Sequence, residues 1–321
     1  MTRVDTEVPA VGAGPVGLLP AAEPRAGGAR TISGPDTPAP PAPTAPPAPG
    51  APAAPRPYPT PQPGRSTVDR LTDKTALVTG SSRGIGRATA IRLAREGALV
   101  AVHWTADRQA AEDTVALIEK EGGRAFAVRA ELGVPGDVHT LFLGLERGLE
   151  ERTGEARLNI LVNNAAVTPT GSAPEDLTPE EFDRYFAVNA KAPYFLTQRA
   201  AALMPDGGRI VNVSSAVTRT AAPDQLAYAM TKGAIEQLTL HLALILAPRG
   251  ITVNSVAPGI TDNGGAIFAN PDAVAAMSQL SAFKRVGGAG DVADVITFLT
   301  TDEARWITGA FIDATGGTLL T

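Results

Sequence analysis

Apolar and polar positions follow two alternating rhythms from residue 74 onward. Compact apolar runs at 74–79, 98–103, 124–129, 158–162, 209–213, 251–256 and 311–313 read as strands buried on both faces. Between them, apolar residues recur at helical spacing over 85–96, 108–121, 138–152, 179–204, 226–248 and 292–299. Seven strands alternating with six helices predict an α/β fold: a doubly wound, Rossmann-type, seven-stranded parallel sheet with helices on both faces. Right-handed crossovers bring the C-terminal ends of the strands to one edge, so the loops leaving them should gather the ligand site.

The first 68 residues lack this rhythm. They hold 18 of the chain's 28 prolines, interleaved with Ala and Gly. Too few large apolar side chains stand there to offset the entropy of ordering, which predicts a disordered tail at 1–68 and one folded domain at 69–321. Residues 33–64 read as an extended, polyproline-like spacer. Its P-x-x-P spacings, such as Pro43 with Pro46, arise in any proline-rich linker. Within 11–31, Gly12, Gly14 and Gly17 fall in G-x-G-x-x-G spacing, and the stretch resembles the opening of FAD-dependent aromatic hydroxylases. Pro20 and Pro24 interrupt the helix that such a motif must open, and no adequate strand precedes Gly12. The stretch is either a coincidence or a decayed flavoprotein-like segment, and no FAD is expected on it.

Composition narrows the function. A net charge of −5, from 33 acidic against 28 basic residues with no basic run, argues against nucleic acid as a partner. The chain has no cysteine, and His103, His139 and His241 lack paired spacing, so no metal site is expected. No apolar run reaches the length of a membrane span, and Asp5, Glu7 and the early prolines do not fit a signal peptide. A cytoplasmic protein without a membrane partner is the expectation.

The candidate chemistry begins where the first strand runs into a helix through Thr79-Gly80-Ser81-Ser82-Arg83-Gly84-Ile85-Gly86. Gly80 permits the tight turn, Gly84 lets the backbone approach a pyrophosphate, and Gly86 lets helix and strand pack closely. Further along, Tyr228 and Lys232 stand at i and i+4 of a predicted helix, which puts the ammonium near the phenol. Such a cation should lower the phenol's pKa, although a Tyr and a Lys at this spacing are also common on solvated helices. Ser214 and Ser215 end the fifth strand, and Ser214 finishes the strand's hydrogen bonds.

Three residues between Gly80 and Gly84 are the spacing of the short-chain dehydrogenase/reductase family, and the resemblance extends over 72–319. Asn163-Asn164-Ala165-Ala166 resembles the family's Asn-Asn-Ala-Gly, with Ala166 in place of the last glycine. Asn189, Ser215, Tyr228 and Lys232 match the catalytic residues, and Pro258-Gly259-Ile260-Thr261 resembles the loop along the nicotinamide. The resemblance implies that Tyr228 is a general acid toward a carbonyl oxygen, that Ser215 hydrogen-bonds the same oxygen, that Lys232 also holds the nicotinamide ribose and that Asn189 positions a relay water. It further implies cofactor contacts at Ser82, Ile85, Thr105, Glu131, Leu132, Asn163 and Ala165. Trp104 stands where an acid would bind a ribose 2′-hydroxyl, and Arg83 is placed to meet a 2′-phosphate, so NADPH is expected, with Asp107 as a possible counterweight.

Residues 262–285 carry Ile267, Phe268, Met277 and Phe283 among small residues. They read either as a lid over an apolar substrate or as a core patch beneath a short helix. Val217 and Ile260 are further substrate candidates, Ile260 as an apolar side chain that orients a flat ring beside the nicotinamide. The run from Gly80 to His103, Asn254-Ser255-Val256-Ala257-Pro258 and Trp306-Ile307-Thr308-Gly309 resemble most closely the ketoreductases that tailor angucycline-type aromatic polyketides. This implies a small-molecule ring ketone as substrate and a homodimer or homotetramer built on the 179–204 and 226–248 helices. A 3-oxoacyl-carrier-protein reductase and a nucleotide-sensing regulator without catalysis are the alternatives.

Overall fold

The computed structural model describes residues 69–169 and 173–320, so the expectations for the 1–68 tail, its spacer and its glycine triplet lie outside the described residues. Along the chain stand β1 (Thr75–Val78), α1 (Gly84–Arg95), β2 (Leu99–Trp104), α2 (Arg108–Lys120), β3 (Arg124–Arg129), α3 (Asp137–Thr153) and β4 (Ile160–Asn163). They are followed by α4 (Pro179–Phe186), α5 (Ala192–Leu203), β5 (Arg209–Val213), α6 (Leu226–Leu246) and β6 (Thr252–Pro258). β7 (Thr261–Asp262), α7 (Pro271–Ser278), β8 (Gly287–Gly288), α8 (Ala289–Thr300) and β9 (Phe311–Ala314) complete the order.

Seven strands pair in parallel in the order β3-β2-β1-β4-β5-β6-β9, which is the doubly wound sheet that the alternation predicts. The strand period of two sorts side chains between its faces. Leu77, Leu99 and Leu161 join a core under α3, α5 and α6, with Leu141, Leu145 and Leu196. Their neighbours Val78, Val100 and Val162 join a second core under α1, α2 and α8, with Leu93, Ile118 and Ile296. Every residue of β1, β4, β5 and β6 is buried, whereas the edge strand β3 exposes Arg124, Ala127 and Arg129. Strand order reverses between β1 and β4, and the crevice at that reversal lies among the loops that leave both strands.

The predicted 179–204 helix is interrupted. Thr178 caps α4 in a capping box with Glu181, but a π turn, Ala187–Lys191, separates α4 from α5. Its closing bond runs from the Ala192 N–H to the Ala187 carbonyl. Pro193 supplies the reason, because it has no N–H to donate to the Asn189 carbonyl four residues back. Among the described residues no helix is long and apolar enough to cross a membrane, and no group of three or more His, Cys, Asp or Glu could hold a metal ion.

Candidate active site

The turn after β1 is held from three sides. Gly80 takes a φ of +63°, and a Cβ built on Gly86 would stand 2.4 Å from the Gly80 carbonyl oxygen, so α1 can approach β1 only through a glycine. The Gly80 N–H donates to His103 Nδ1 (2.9 Å), and His103 Nε2 lies 3.1 Å from the Ala130 carbonyl oxygen. With Nδ1 accepting, Nε2 carries the proton and donates to Ala130. Burial pushes the imidazole down to about 4, against the weaker opposing effect of its Ala130 hydrogen bond. On the other side, Thr79 Oγ1 accepts from the N–H groups of Asn164 (2.9 Å) and Ala165 (3.0 Å).

These contacts shape a cavity of about 630 Å³ along the C-terminal edge of the sheet. The glycine turn enters its wall with Gly80, Ser82, Arg83, Gly84 and Ile85, and the exits of β2, β3 and β4 add Trp104, Thr105, Leu132 and Ala165. Ser215, Tyr228, Lys232, Pro258, Gly259 and Thr261 line it as well. Arg83 is exposed and has no carboxylate partner among the described residues, while the nearby Asp107 accepts the Ala110 N–H and is committed to capping α2.

Tyr228, Lys232 and Ser215 converge. Lys232 Nζ donates to the Val213 carbonyl (2.7 Å) and stands 5.5 Å from the centre of the Tyr228 ring. Ser215 stands beside the Tyr228 phenol, close enough to favour its ionised form. The expected fall in the phenol's pKa is not what the protein's own groups produce. Burial pushes Tyr228 up to about 12, and the Ser215 side chain only partly opposes it. Burial also pushes Lys232 down to about 8, because its ammonium sits among backbone rather than beside a carboxylate.

Several expected contacts lie elsewhere. Asn163 is buried and turned away from the cavity, its Nδ2 donating to Asn212 Oδ1 (2.8 Å) and Thr197 Oγ1 (3.0 Å). The neighbouring Asn164 lines the cavity instead and reaches the carbonyls of Thr79 and Gly80. Glu131 is exposed and off the wall, and Gly86 serves packing within α1. The Asn189 amide is spent on a neighbouring loop: its Oδ1 accepts the Val167 N–H (2.8 Å) and its Nδ2 donates to the Val167 carbonyl (2.9 Å). Of the substrate candidates, Val217, Ile260, Phe268, Met277 and Phe283 do not line the cavity. Nor do Ile267, Phe268, Met277 and Phe283 make a core patch, since none of the four is buried. They form a surface flap whose base is closed by the β7–β8 pairing, Thr261 with Gly287 and Asp262 with Gly288.

A second recess, of about 140 Å³, opens beside Tyr228 and is lined by Leu177, Phe182, Tyr185, Pro223, Leu226 and Met230 among others. Sequence reasoning passed over it, and the signal was faint: a Phe/Tyr/Phe cluster in 182–186 whose two phenyl rings stack at 4.7 Å. Nor does the sequence point to His103, whose lack of paired spacing speaks only against a metal site.

Comparison with known proteins is consistent in direction. A family described as enoyl-(acyl carrier protein) reductase matches residues 80–318. The structure of the promiscuous reductase LugOII, which catalyses keto-reduction at C1 during lugdunomycin biosynthesis, is 74% identical with a TM-score of 0.77, over 78% of this chain and 99% of that one. The angucycline C-6 ketoreductase LanV with bound NADP is 62% identical with a TM-score of 0.77, over 78% and 98%. The versicolorin reductase stcU of Emericella nidulans is 36% identical over 261 residues, 77% of this chain and 96% of that protein.

Proposed function

The chain belongs to the short-chain dehydrogenase/reductase family, and we propose that it is an NADPH-dependent ketoreductase acting on a ring ketone of a polycyclic aromatic polyketide of the angucycline type. The observation that carries this reading is the position of Tyr228, whose side of α6 borders both the long cavity and the apolar recess. A nucleotide fits the first, with its glycine cradle and an Arg83 that has no carboxylate partner among the described residues, and a flat apolar ketone fits the space beside the second. The relatives LugOII and LanV support the ketone class, and the NADP in LanV supports the cofactor.

When bound, NADPH supplies the hydride. Arg83, on the cavity wall, would hold a 2′-phosphate, with Asp107 withdrawn into its cap. Tyr228 donates its proton to the carbonyl oxygen as the carbon is reduced, and its raised pKa keeps that proton in place at neutral pH. Ser215 hydrogen-bonds the oxygen as negative charge develops. Lys232 remains mostly cationic at pH 7 and favours the transient phenolate. Because the Asn189 amide is committed to Val167, its share in proton return falls to its main-chain carbonyl, which Pro193 leaves without a helical donor. Residues 262–285 would serve as a lid only by closing over the cavity, whose wall the flap meets at Asn263. Exposed Tyr194 and Phe195 on α5 and Leu240, Leu244 and Ile245 on α6 provide the apolar surface for a homodimer or homotetramer.

NADPH consumption against polycyclic quinones and 3-oxoacyl thioesters tests the substrate class. Turnover of thioesters alone would replace this reading with a 3-oxoacyl-carrier-protein reductase. Tyr228→Phe should keep NADPH binding, measured by fluorescence, and lose at least about a hundredfold in turnover. Near-normal reduction by that variant would overturn the mechanism, and a wild type that binds NADPH but reduces nothing would favour a nucleotide sensor.

A further inference from the structure

The face of α6 that carries Tyr228 and Lys232 continues one turn further to Glu236, since 228, 232 and 236 recur at every fourth residue. Each of the three grips the exit of β5. Tyr228 meets Ser215, Lys232 holds the Val213 carbonyl, and Glu236 Oε1 accepts the Ser214 hydroxyl at 2.7 Å. Ser214 does not need this bond to complete the sheet, because its N–H already donates to the Val256 carbonyl at 2.7 Å.

Glu236 is therefore an acid buried beside the site with no part in the proton transfer. Its side chain is only 10% exposed, and such a carboxylate persists where its oxygens are satisfied and its charge is met. Arg219 meets it: its Nη2 stands 2.8 Å from Glu236 Oε2, and its guanidinium lies 4.3 Å from the centre of the Phe311 ring on β9. Arg219 ends the short turn that follows Ser215. Within that turn the Thr218 hydroxyl donates to the Ser215 carbonyl (3.0 Å) and the Arg219 N–H to the Ala216 carbonyl (2.9 Å). The carboxylate thus touches the chain on both sides of Ser215, through Ser214 before it and Arg219 after it.

We propose that Glu236 is a positioning residue for the Ser215–Tyr228 pair, a latch on α6 that fixes the chain before and after Ser215. This rests on the ketoreductase reading for its catalytic consequence, but not for its structural one. The arrangement assigns different work to the two contacts. The Ser214 bond sets the height of the strand exit against α6, and the Arg219 pair holds the turn down against β9.

Glu236→Gln keeps an acceptor for Ser214 and removes the ion pair, while Arg219→Ala removes the pair from its exposed end with little risk to folding. Hydrogen exchange of the full-length protein, followed by mass spectrometry, should show amides of 214–222 exchanging roughly tenfold faster in both variants, with β1 and α1 unchanged. With 9,10-phenanthrenequinone as probe, kcat should fall roughly tenfold and the NADPH KM stay within about twofold. The primary isotope effect from 4-deuterated NADPH should rise, because a displaced proton donor slows the chemical step, whereas partial unfolding would leave it unchanged. Arg219→Lys should restore most of the rate. Unchanged exchange at 214–222 in both variants overturns the latch, as does a loss of kcat without a change in the isotope effect. If the wild type reduces no ketone, the ketoreductase reading fails, and the exchange measurement still decides the latch.

Discussion

The glycine turn and the 262–285 flap flank the same cavity but are built in opposite ways. At the turn, Gly80 is tied to His103, Thr79 gathers two amides from the β4 exit, and Gly86 leaves no room even for a methyl group. In the flap, α7 has no buried residue, Phe283 is 73% exposed, and the β7–β8 pairing closes its base. The turn is fixed by hydrogen bonds between backbone amides and the His103 and Thr79 side chains, which a wrong side chain would break. The flap meets the cavity only through Asn263 beside Gly84 and is otherwise a surface whose side chains can change while the sheet stays intact. A cofactor that is the same for every substrate suits the first construction, and a variable substrate suits the second.

The largest effect that would test this contrast is acid loss of the His103 bridge. Its folded pKa of about 4 lies below the ordinary 6.5, so between those values the unfolded chain binds the proton that the folded one refuses. Stability from this group is complete above pH 6.5 and disappears as pH falls toward 4, by about 3 kcal/mol. Urea unfolding of wild type and His103→Asn at pH 7 and pH 4 checks it. The variant should lose less stability than the wild type over that interval, and parallel losses would remove His103 from the account. Next in size, Gly86→Ala should cost about 1–3 kcal/mol by overpacking and weaken NADPH binding, since Gly80 or Asn164 must shift. Calorimetry and NADPH titration would detect both, and an unchanged affinity would mean that the turn adjusts more freely than its hydrogen bonds imply. Smallest should be the paired change Phe268→Ala with Met277→Ala in the flap. Because neither residue is buried, stability should move by less than about 0.5 kcal/mol while the KM for a polycyclic ketone rises a few-fold. A substantial loss of melting temperature would show that the flap belongs to the folded core after all.

The strand and helix rhythm was legible because buried parallel strands need continuous apolar runs and their helices a single apolar face. The glycine turn was legible because its three-residue spacing sits between a strand and a helix, whereas Ser215, Tyr228 and Lys232 were legible only through their resemblance to the family, since a Tyr and a Lys four residues apart are common on solvated helices. Asn163 and Asn164 were not separable by reading, since which of two neighbours faces a crevice depends on where the strand ends, and here Asn163 still belongs to β4. The latch at Glu236 and the bridge at His103 were invisible for a related reason, because their partners stand 22 and 23 residues away in Ser214 and Gly80.

By itself, the sequence determined the sheet, its edge of loops, the cofactor turn and the Tyr–Lys pair. The sheet and the turn follow from local periodicity and steric need, and the Tyr–Lys pair from resemblance to the family. Only the tertiary structure decided that burial raises the Tyr228 phenol despite its lysine, that Asn189 is spent on Val167, and that the apolar recess lies beside α4 rather than beneath the flap. Each of these depends on how much water remains around a group and which distant backbone meets it, and a one-dimensional pattern of polarity carries neither quantity.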